Sequence, residues 1–218
     1  MEPLDAAREL VAERFPDASW ALLTGSVVNA YRTAGSDLDI VVVREAGDAY
    51  RESLRFRGWP VELFVHTPAR LAEFLSRELA DRKPSTHRML AHGVVLTGDP
   101  GDLPQRCARV LADGPPPLSA AERDRLRYGL TDLLDDLRHA TDPGEHAVIA
   151  ATLWMAAARA ATAFAGRWVS SGKWALRDLR ELDPALAERW LASRDDPAQV
   201  AAEILARGGG PLFEGYRA

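Results

Sequence analysis

The most informative part of the amino-terminal half is Leu22–Val43, which reads LLTGSVVNAYRTAGSDLDIVVV. A short apolar run ends at Gly25-Ser26, ten residues intervene, and DLDI opens a second run that is rich in β-branched residues. Apolar runs bounded by glycine and polar residues predict two buried β-strands joined by a loop. Because side chains alternate along a strand, Asp37 and Asp39 are expected to share the face opposite the core.

The paired aspartates indicate a cation site. Two carboxylates about 6–7 Å apart on one strand repel each other unless a cation lies between them. Hard oxygen ligands without a histidine or cysteine pattern suit Mg²⁺ rather than zinc. If the Gly25-Ser26 turn opens a short helix at Val27, its free backbone N–H groups and its hydroxyl are the donors that a phosphate needs. The alternative is that Asp-x-Asp forms a turn at a solvated strand end.

A third carboxylate lies on a later predicted strand, Val61–His66. The apolar residues of this strand alternate to one face and leave Glu62 on the other. If this strand lies beside Leu38–Val43, Glu62 joins the two aspartates. Three carboxylates on adjacent strands, facing a phosphate-binding turn, indicate a two-metal phosphoryl- or nucleotidyl-transfer site. The alternative for Glu62 is a solvated position on an edge strand.

Gly25-Ser26, the ten-residue gap and Asp37-x-Asp39 resemble the signature of the DNA polymerase β-like nucleotidyltransferase superfamily. The closer likeness is to small bacterial antibiotic and minimal nucleotidyltransferases, in which a helical domain follows the catalytic sheet. The resemblance implies that Asp37 and Asp39 hold the metal ions that bridge the nucleotide phosphates. It also implies that Ser26 binds a terminal phosphate, that Gly25 lets the backbone approach, and that Glu62 is a metal ligand or the base.

The chain is predicted to have two parts with different secondary structure. Three prolines in the segment GPPPLS at 114–119 mark the boundary, because they cannot continue a helix. Before it, the predicted strands are Trp20–Thr24, Leu38–Val43, Val61–His66 and Val94–Gly98, and the predicted helices are Ala6–Phe15, Pro68–Leu79, Thr86–His92 and Leu103–Ala112. After it, the predicted helices are Ala120–His139, Glu145–Ala165, Trp174–Leu182, Pro184–Ser193 and Pro197–Arg207.

These elements predict an α+β fold. A small mixed β-sheet with flanking helices occupies residues 1–114, and an all-α helical bundle occupies residues 119–218. The resemblance implies that the first part is the catalytic nucleotidyltransferase domain and the second a substrate-binding domain.

The helical half carries one further candidate residue. Its segment SGKWALRDLRELDPALAERW looks like the helical domain of antibiotic adenylyltransferases. Of 27 basic residues only Lys83 and Lys173 are lysines, and Lys173 starts a helix, where a cation is unfavourable. An anion would offset that cost, and the resemblance suggests a nucleotide phosphate. The alternative is a surface lysine paired with Asp178 or Glu181.

The resemblance leaves the identity of the base open between two carboxylates. In some members of the superfamily the base is the carboxylate at the position that Glu62 occupies here. In one branch it is a glutamate of the helical domain, for which Glu145 is the candidate in this chain. Glu145 opens a helix, so the favoured interpretation is that it complements the positive end of that helix.

Composition excludes several classes of partner. The net charge of −5 argues against a surface that binds duplex nucleic acid. A single cysteine, Cys107, excludes an internal disulfide framework and suits a reducing, cytoplasmic setting. The segment 148–166 is apolar, but Arg159 near its centre favours a buried helix of a soluble protein over a membrane span.

Taken with the resemblance, these features predict a metal-dependent nucleotidyltransferase. It is expected to use two Mg²⁺ ions and to transfer a nucleoside monophosphate, AMP from ATP, onto a hydroxyl of a small-molecule acceptor such as an antibiotic. The alternatives are an enzyme or antitoxin-like regulator that adenylylates a protein, and a nucleotide-binding protein without turnover.

Overall fold

The chain divides into two compact units in the computed structural model, which describes residues 1–217. The first unit is Met1–Asp113 and the second begins at Gly114. The elements of the first unit are α1 (Pro3–Arg14), β1 (Trp20–Thr24), β2 (Leu38–Val43), β3 (Tyr50–Phe56), β4 (Trp59–His66), α2 (Pro68–Ala80), α3 (Ser85–His92), β5 (Val94–Gly98) and α4 (Leu103–Asp113). Those of the second unit are α5 (Ala120–His139), α6 (Pro143–Phe164), α7 (Lys173–Leu182), α8 (Pro184–Ala192) and α9 (Ala198–Arg207).

A five-stranded mixed sheet forms the centre of the first unit. Its strand order is β3-β4-β2-β1-β5, with β2 and β4 parallel and the other pairs antiparallel. Buried residues of α1 pack against one face of the sheet. Buried residues of α2, α3 and α4 pack against the other. The predicted α+β class, a mixed sheet with flanking helices followed by a helical part, is therefore confirmed.

Strand β3 is missing from the sequence prediction, which had no element between Val43 and Val61. Tyr50–Phe56 forms an antiparallel hairpin with β4, which consequently begins at Trp59. The two turn residues, Arg57 and Gly58, both have positive φ, at 49° and 87°. That geometry suits a tight hairpin, but the Arg-Gly pair is not one of the usual hairpin sequences. Charged residues on this edge strand also hid its alternation.

The ends of several helices differ from the predicted ends by one to three residues, and capping explains one of them. Helix α6 begins at Pro143 because the Asp142 side chain accepts a hydrogen bond from the Glu145 backbone N–H at 2.9 Å. Helix α9 begins at Ala198, with Pro197 at the N-cap position.

Helix α6 forms much of the core of the second unit. Five of its alanines are buried in a cluster with residues of α5, α7, α8 and α9. Among residues 1–217 it is the helix that is long and apolar enough to cross a membrane by length and composition, and 44% of its most apolar window is buried inside the protein. Trp154 of α6 and Trp190 of α8 stack at 4.0 Å, and each indole N–H donates to the other residue's backbone carbonyl.

Candidate functional site

Three carboxylates meet on the first unit's sheet. Asp39 of β2 lies directly opposite Glu62 of β4, and Asp37 immediately precedes β2. One carboxylate oxygen from each of the three residues lies within 4.8 Å of the others, and all three residues are half-buried. Among residues 1–217, this is the one group of three or more acidic, histidine or cysteine side chains close enough to hold a metal ion.

Buried neighbours on the same strands fix this placement. Leu38 and Ile40 on β2, and Val61 and Leu63 on β4, are at most 1% exposed and pack with α1. Because side chains alternate, a register slip of one residue would turn these apolar groups away from α1 and turn the carboxylates towards it. The core on one face of the sheet therefore holds the acidic group on the other.

The turn after β1 packs directly against the carboxylates. Gly25 has φ of 80° and ψ of −160°, a conformation that is essentially restricted to glycine. A Cβ atom at this position would lie 2.0 Å from Asp39 Oδ2, so only a glycine backbone can approach this closely. A short 3₁₀ helix, Ser26–Val28, follows. The predicted glycine-serine turn, short helix and aspartate pair thus lie side by side.

Two loop residues that sequence reasoning missed hold this turn. The Ser26 and Ser36 hydroxyl oxygens lie 2.8 Å apart, and Ser36 Oγ also accepts a hydrogen bond from the Thr33 backbone N–H at 2.9 Å. Asn29 donates from its side chain to the Gly25 carbonyl and accepts from the Tyr31 N–H. The signal for Ser36 was its position next to Asp37, and Asn29 follows Gly25 by four residues.

The third missed residue is Arg51, which lies on the unpredicted strand β3. Its guanidinium donates to Glu62 Oε2 at 2.5 Å and lies 5.0 Å from the centre of the Phe64 ring. The Arg51 side chain is 60% exposed, whereas that of Glu62 is 28% exposed. The bond occupies one Glu62 oxygen and brings a positive charge to the edge of the acidic group.

The donor set fits Mg²⁺. Half-buried carboxylate oxygens from two adjacent strands are the ligands that hard divalent cations prefer. Carboxylates held this close repel one another, and a divalent cation removes that repulsion. The residues that would hold it are Asp37, Asp39 and Glu62.

Lys173 and Glu145 both belong to the second unit. Lys173 is exposed at the first position of α7, after Gly172, whose φ is 57°. Within residues 1–217 it forms no ion pair with Asp178 or Glu181. Glu145 is exposed in the first turn of α6. A phosphate-binding role for Lys173 and a base role for Glu145 stay predictions.

Two side chains have shifted pKa values where α2 to α4 cover the sheet. Burial lowers the pKa of His66, on the same face of β4 as Glu62, and the negative charge of Glu78 partly opposes that shift. Burial raises the pKa of the Cys107 thiol to about 11. Both shifts disfavour the charged form, as expected for groups beneath packed helices.

Comparisons with known proteins found similarities among solved structures. No known protein family matches the chain, and no curated protein matches it. Among solved structures, it is similar to a nucleotidyltransferase-like protein from Exiguobacterium sibiricum 255-15 at 14% sequence identity. The likeness covers 94% of this chain and 73% of that one, with a TM-score of 0.48.

Proposed function

We propose that the protein is a Mg²⁺-dependent nucleotidyltransferase that moves AMP from ATP onto a hydroxyl of a small molecule. The observation that carries the proposal is the contact between the turn and the acidic group. Gly25 lies so close to Asp39 that a turn able to bind phosphate and a carboxylate able to bind a cation share one site.

Each residue of the site has a proposed task. Asp37, Asp39 and Glu62 hold the cations, and bound Mg²⁺ supplies positive charge to the phosphate oxygens. The backbone N–H groups of the short helix after Gly25 and the Ser26 hydroxyl donate to the distal phosphates.

Ser36 positions the Ser26 hydroxyl for this task. When Ser36 donates its own proton to Ser26 Oγ, the proton of Ser26 is directed to a phosphate oxygen.

The reaction is a substitution at the α-phosphorus. The acceptor oxygen forms a bond to the α-phosphorus, and the bond from that phosphorus to the bridging oxygen breaks, so that pyrophosphate leaves. The acceptor hydroxyl loses its proton, and Glu62 is the carboxylate of the first unit proposed to accept it. The products are the adenylylated acceptor, pyrophosphate and one proton.

The test measures nucleotide binding and turnover separately. ATP affinity is measured by calorimetry with and without Mg²⁺, and pyrophosphate release is measured with candidate hydroxyl acceptors. Asp39→Asn should abolish Mg²⁺-dependent release. Asp48→Asn is the matched control, because Asp48 is an exposed aspartate of the same unit, outside the acidic group.

The outcomes separate the alternatives. Pyrophosphate release with a small-molecule acceptor supports the proposal. Transfer of AMP to a protein side chain instead identifies a protein-adenylylating enzyme. Tight Mg²⁺-dependent ATP binding without release identifies a binding protein. Equal activity of Asp39→Asn and Asp48→Asn would show that the site has been assigned wrongly.

A further inference from the structure

The order of groups across the sheet gives the site a direction. The strand order places the turn after β1 first, then the β2 aspartates, then Glu62 on β4, and finally β3 at the edge. If the proposed function holds, the distal phosphates lie at the turn and the α-phosphorus at the carboxylates. Displacement at phosphorus proceeds in line, with the attacking and leaving oxygens on opposite sides. The acceptor therefore approaches from the β3 side.

Two arginines flank that approach. Strand β3 pairs with β4 so that Ser53 lies opposite Glu62, and Arg51 and Arg55 stand two residues to either side of Ser53. Alternation places all three on the sheet face that carries Glu62, and all three are exposed. The bond from Arg51 to Glu62 shows directly that this face of β3 reaches the acidic group.

The arginines near the two faces of β3 differ in whether they form ion pairs. On the opposite face, Arg14 pairs with Glu52 of β3, and Arg57 at the hairpin turn pairs with Glu9 of α1. Arg51 is already matched by Glu62. Arg55, in contrast, has no hydrogen bond or ion pair in the part of the chain that the structure describes. The ion pair with Glu62 explains the positive charge of Arg51. No such pair explains Arg55, which therefore adds a second positive charge beside the acidic group.

We propose that the acceptor carries an anionic group, a phosphate or a carboxylate, which Arg55 and Arg51 bind beside Glu62. Guanidinium groups form paired, charge-assisted hydrogen bonds with both kinds of anion. The Cα atoms of Arg51 and Arg55 are about 13 Å apart at the usual strand rise. Their long side chains can therefore converge on a group that lies over Ser53, on the sheet face that carries Glu62. This inference rests on the proposed function, because that function gives the direction of attack.

The test uses four three-carbon probes that differ mainly in charge. They are glycerol, glycerol 3-phosphate, glycerate and 3-amino-1,2-propanediol. Binding of each is measured by saturation-transfer NMR on the full chain with Mg²⁺ and saturating α,β-methylene-ATP. We expect the anionic probes to bind and the neutral and cationic probes not to bind. Binding of glycerol 3-phosphate alone identifies a phosphate as the recognised group, and binding of glycerate alone identifies a carboxylate.

Substitutions locate the binding. Arg55→Gln should weaken anion binding at least tenfold while nucleotide affinity stays within twofold, because Arg55 touches none of the carboxylates. The double variant Arg14→Gln/Arg57→Gln is the control, since it removes two cations, one on α1 and one in the hairpin turn, that pair on the side away from Glu62. Anion binding should be unchanged in it.

Three results would overturn the inference: no binding of either anionic probe, equal binding of the amine, or full anion binding in Arg55→Gln. Failure of the proposed function is read separately, as failure of α,β-methylene-ATP to bind in the presence of Mg²⁺.

Discussion

Replacing Gly25 with alanine tests whether the turn and the carboxylates form one site. The added Cβ would lie 2.0 Å from Asp39 Oδ2, and real Cβ contacts are essentially never shorter than 3.0 Å. The Asp39 carboxylate, the turn or both must therefore move by a total of about 1 Å. A misplacement of about 1 Å in a catalytic arrangement can cost about a hundredfold in rate. The backbone conformation itself costs a further 1–3 kcal/mol, roughly, in a residue other than glycine.

Two comparisons separate the backbone cost from the clash. Gly58→Ala also places alanine at positive φ, 87°, but with no atom within 4 Å, so it should lose stability without losing Mg²⁺-dependent nucleotide binding. Asp39→Ala removes the atom that clashes. Gly25→Ala should then cost less free energy of unfolding in the Asp39→Ala background than in the wild type.

The measurements are urea unfolding and calorimetric binding of Mg²⁺-ATP for the four members of the cycle and for Gly58→Ala. Additive effects of the Gly25 and Asp39 substitutions would refute the contact, because residues in contact show a coupling energy. Wild-type nucleotide affinity in Gly25→Ala would refute the shared site.

Four other predictions follow from single side chains. Asp37→Asn and Asp39→Asn should each leave the Mg²⁺-free protein as stable as wild type or more stable, because carboxylate repulsion falls. Each should also abolish the rise in melting temperature that Mg²⁺ causes. A lower melting temperature without Mg²⁺ would instead indicate a structural role. The Cys107 thiol, with a pKa near 11 against 9.0 for an ordinary thiol, should react with a disulfide reagent at pH 8 at least about a hundredfold more slowly in the folded protein than in urea, and equal rates would contradict its burial. His66 has a lowered folded pKa, so its neutral form contributes stability above about pH 6.5 that is lost as the pH falls through the folded value; unfolding curves of His66→Gln should lack that part of the pH dependence. Lys173→Arg should raise the KM for ATP and Lys173→Ala should raise it further, and equal rates for wild type and Lys173→Ala at sub-saturating ATP would contradict a phosphate contact.

Regions with strong hydrophobic patterns were predictable from the sequence. The run Leu38–Val43 and the alternating strand around Glu62 gave the faces of their side chains, which is why the three carboxylates could be expected together. Buried apolar residues fix register, and register fixes where the acidic residues lie. The helices after the three prolines were equally clear, because capping residues and proline marked their ends.

The edge of the sheet was not predictable in the same way. Strand β3 buries little, so its sequence shows charge rather than a hydrophobic pattern, and its hairpin turn uses Arg57 where asparagine or aspartate is more usual. Arg51 could not be assigned to the site without that strand. Ser36 was missed for a different reason, since its role depends on a loop contact with Ser26 that spacing alone does not reveal.

The arrangement of β2 and β4 shows how the fold stabilises a locally unfavourable site. Three carboxylates whose oxygens lie within 4.8 Å of one another repel each other, and no secondary-structure propensity brings them together. The same two strands bury Leu38 and Leu63 completely on the opposite face. Burying one such side chain contributes about 1.5–3 kcal/mol, so the core can outweigh the repulsion and keep the acidic group assembled before a cation arrives. A preassembled group binds its cation without first ordering the chain, as the proposed task of positioning a phosphate would require.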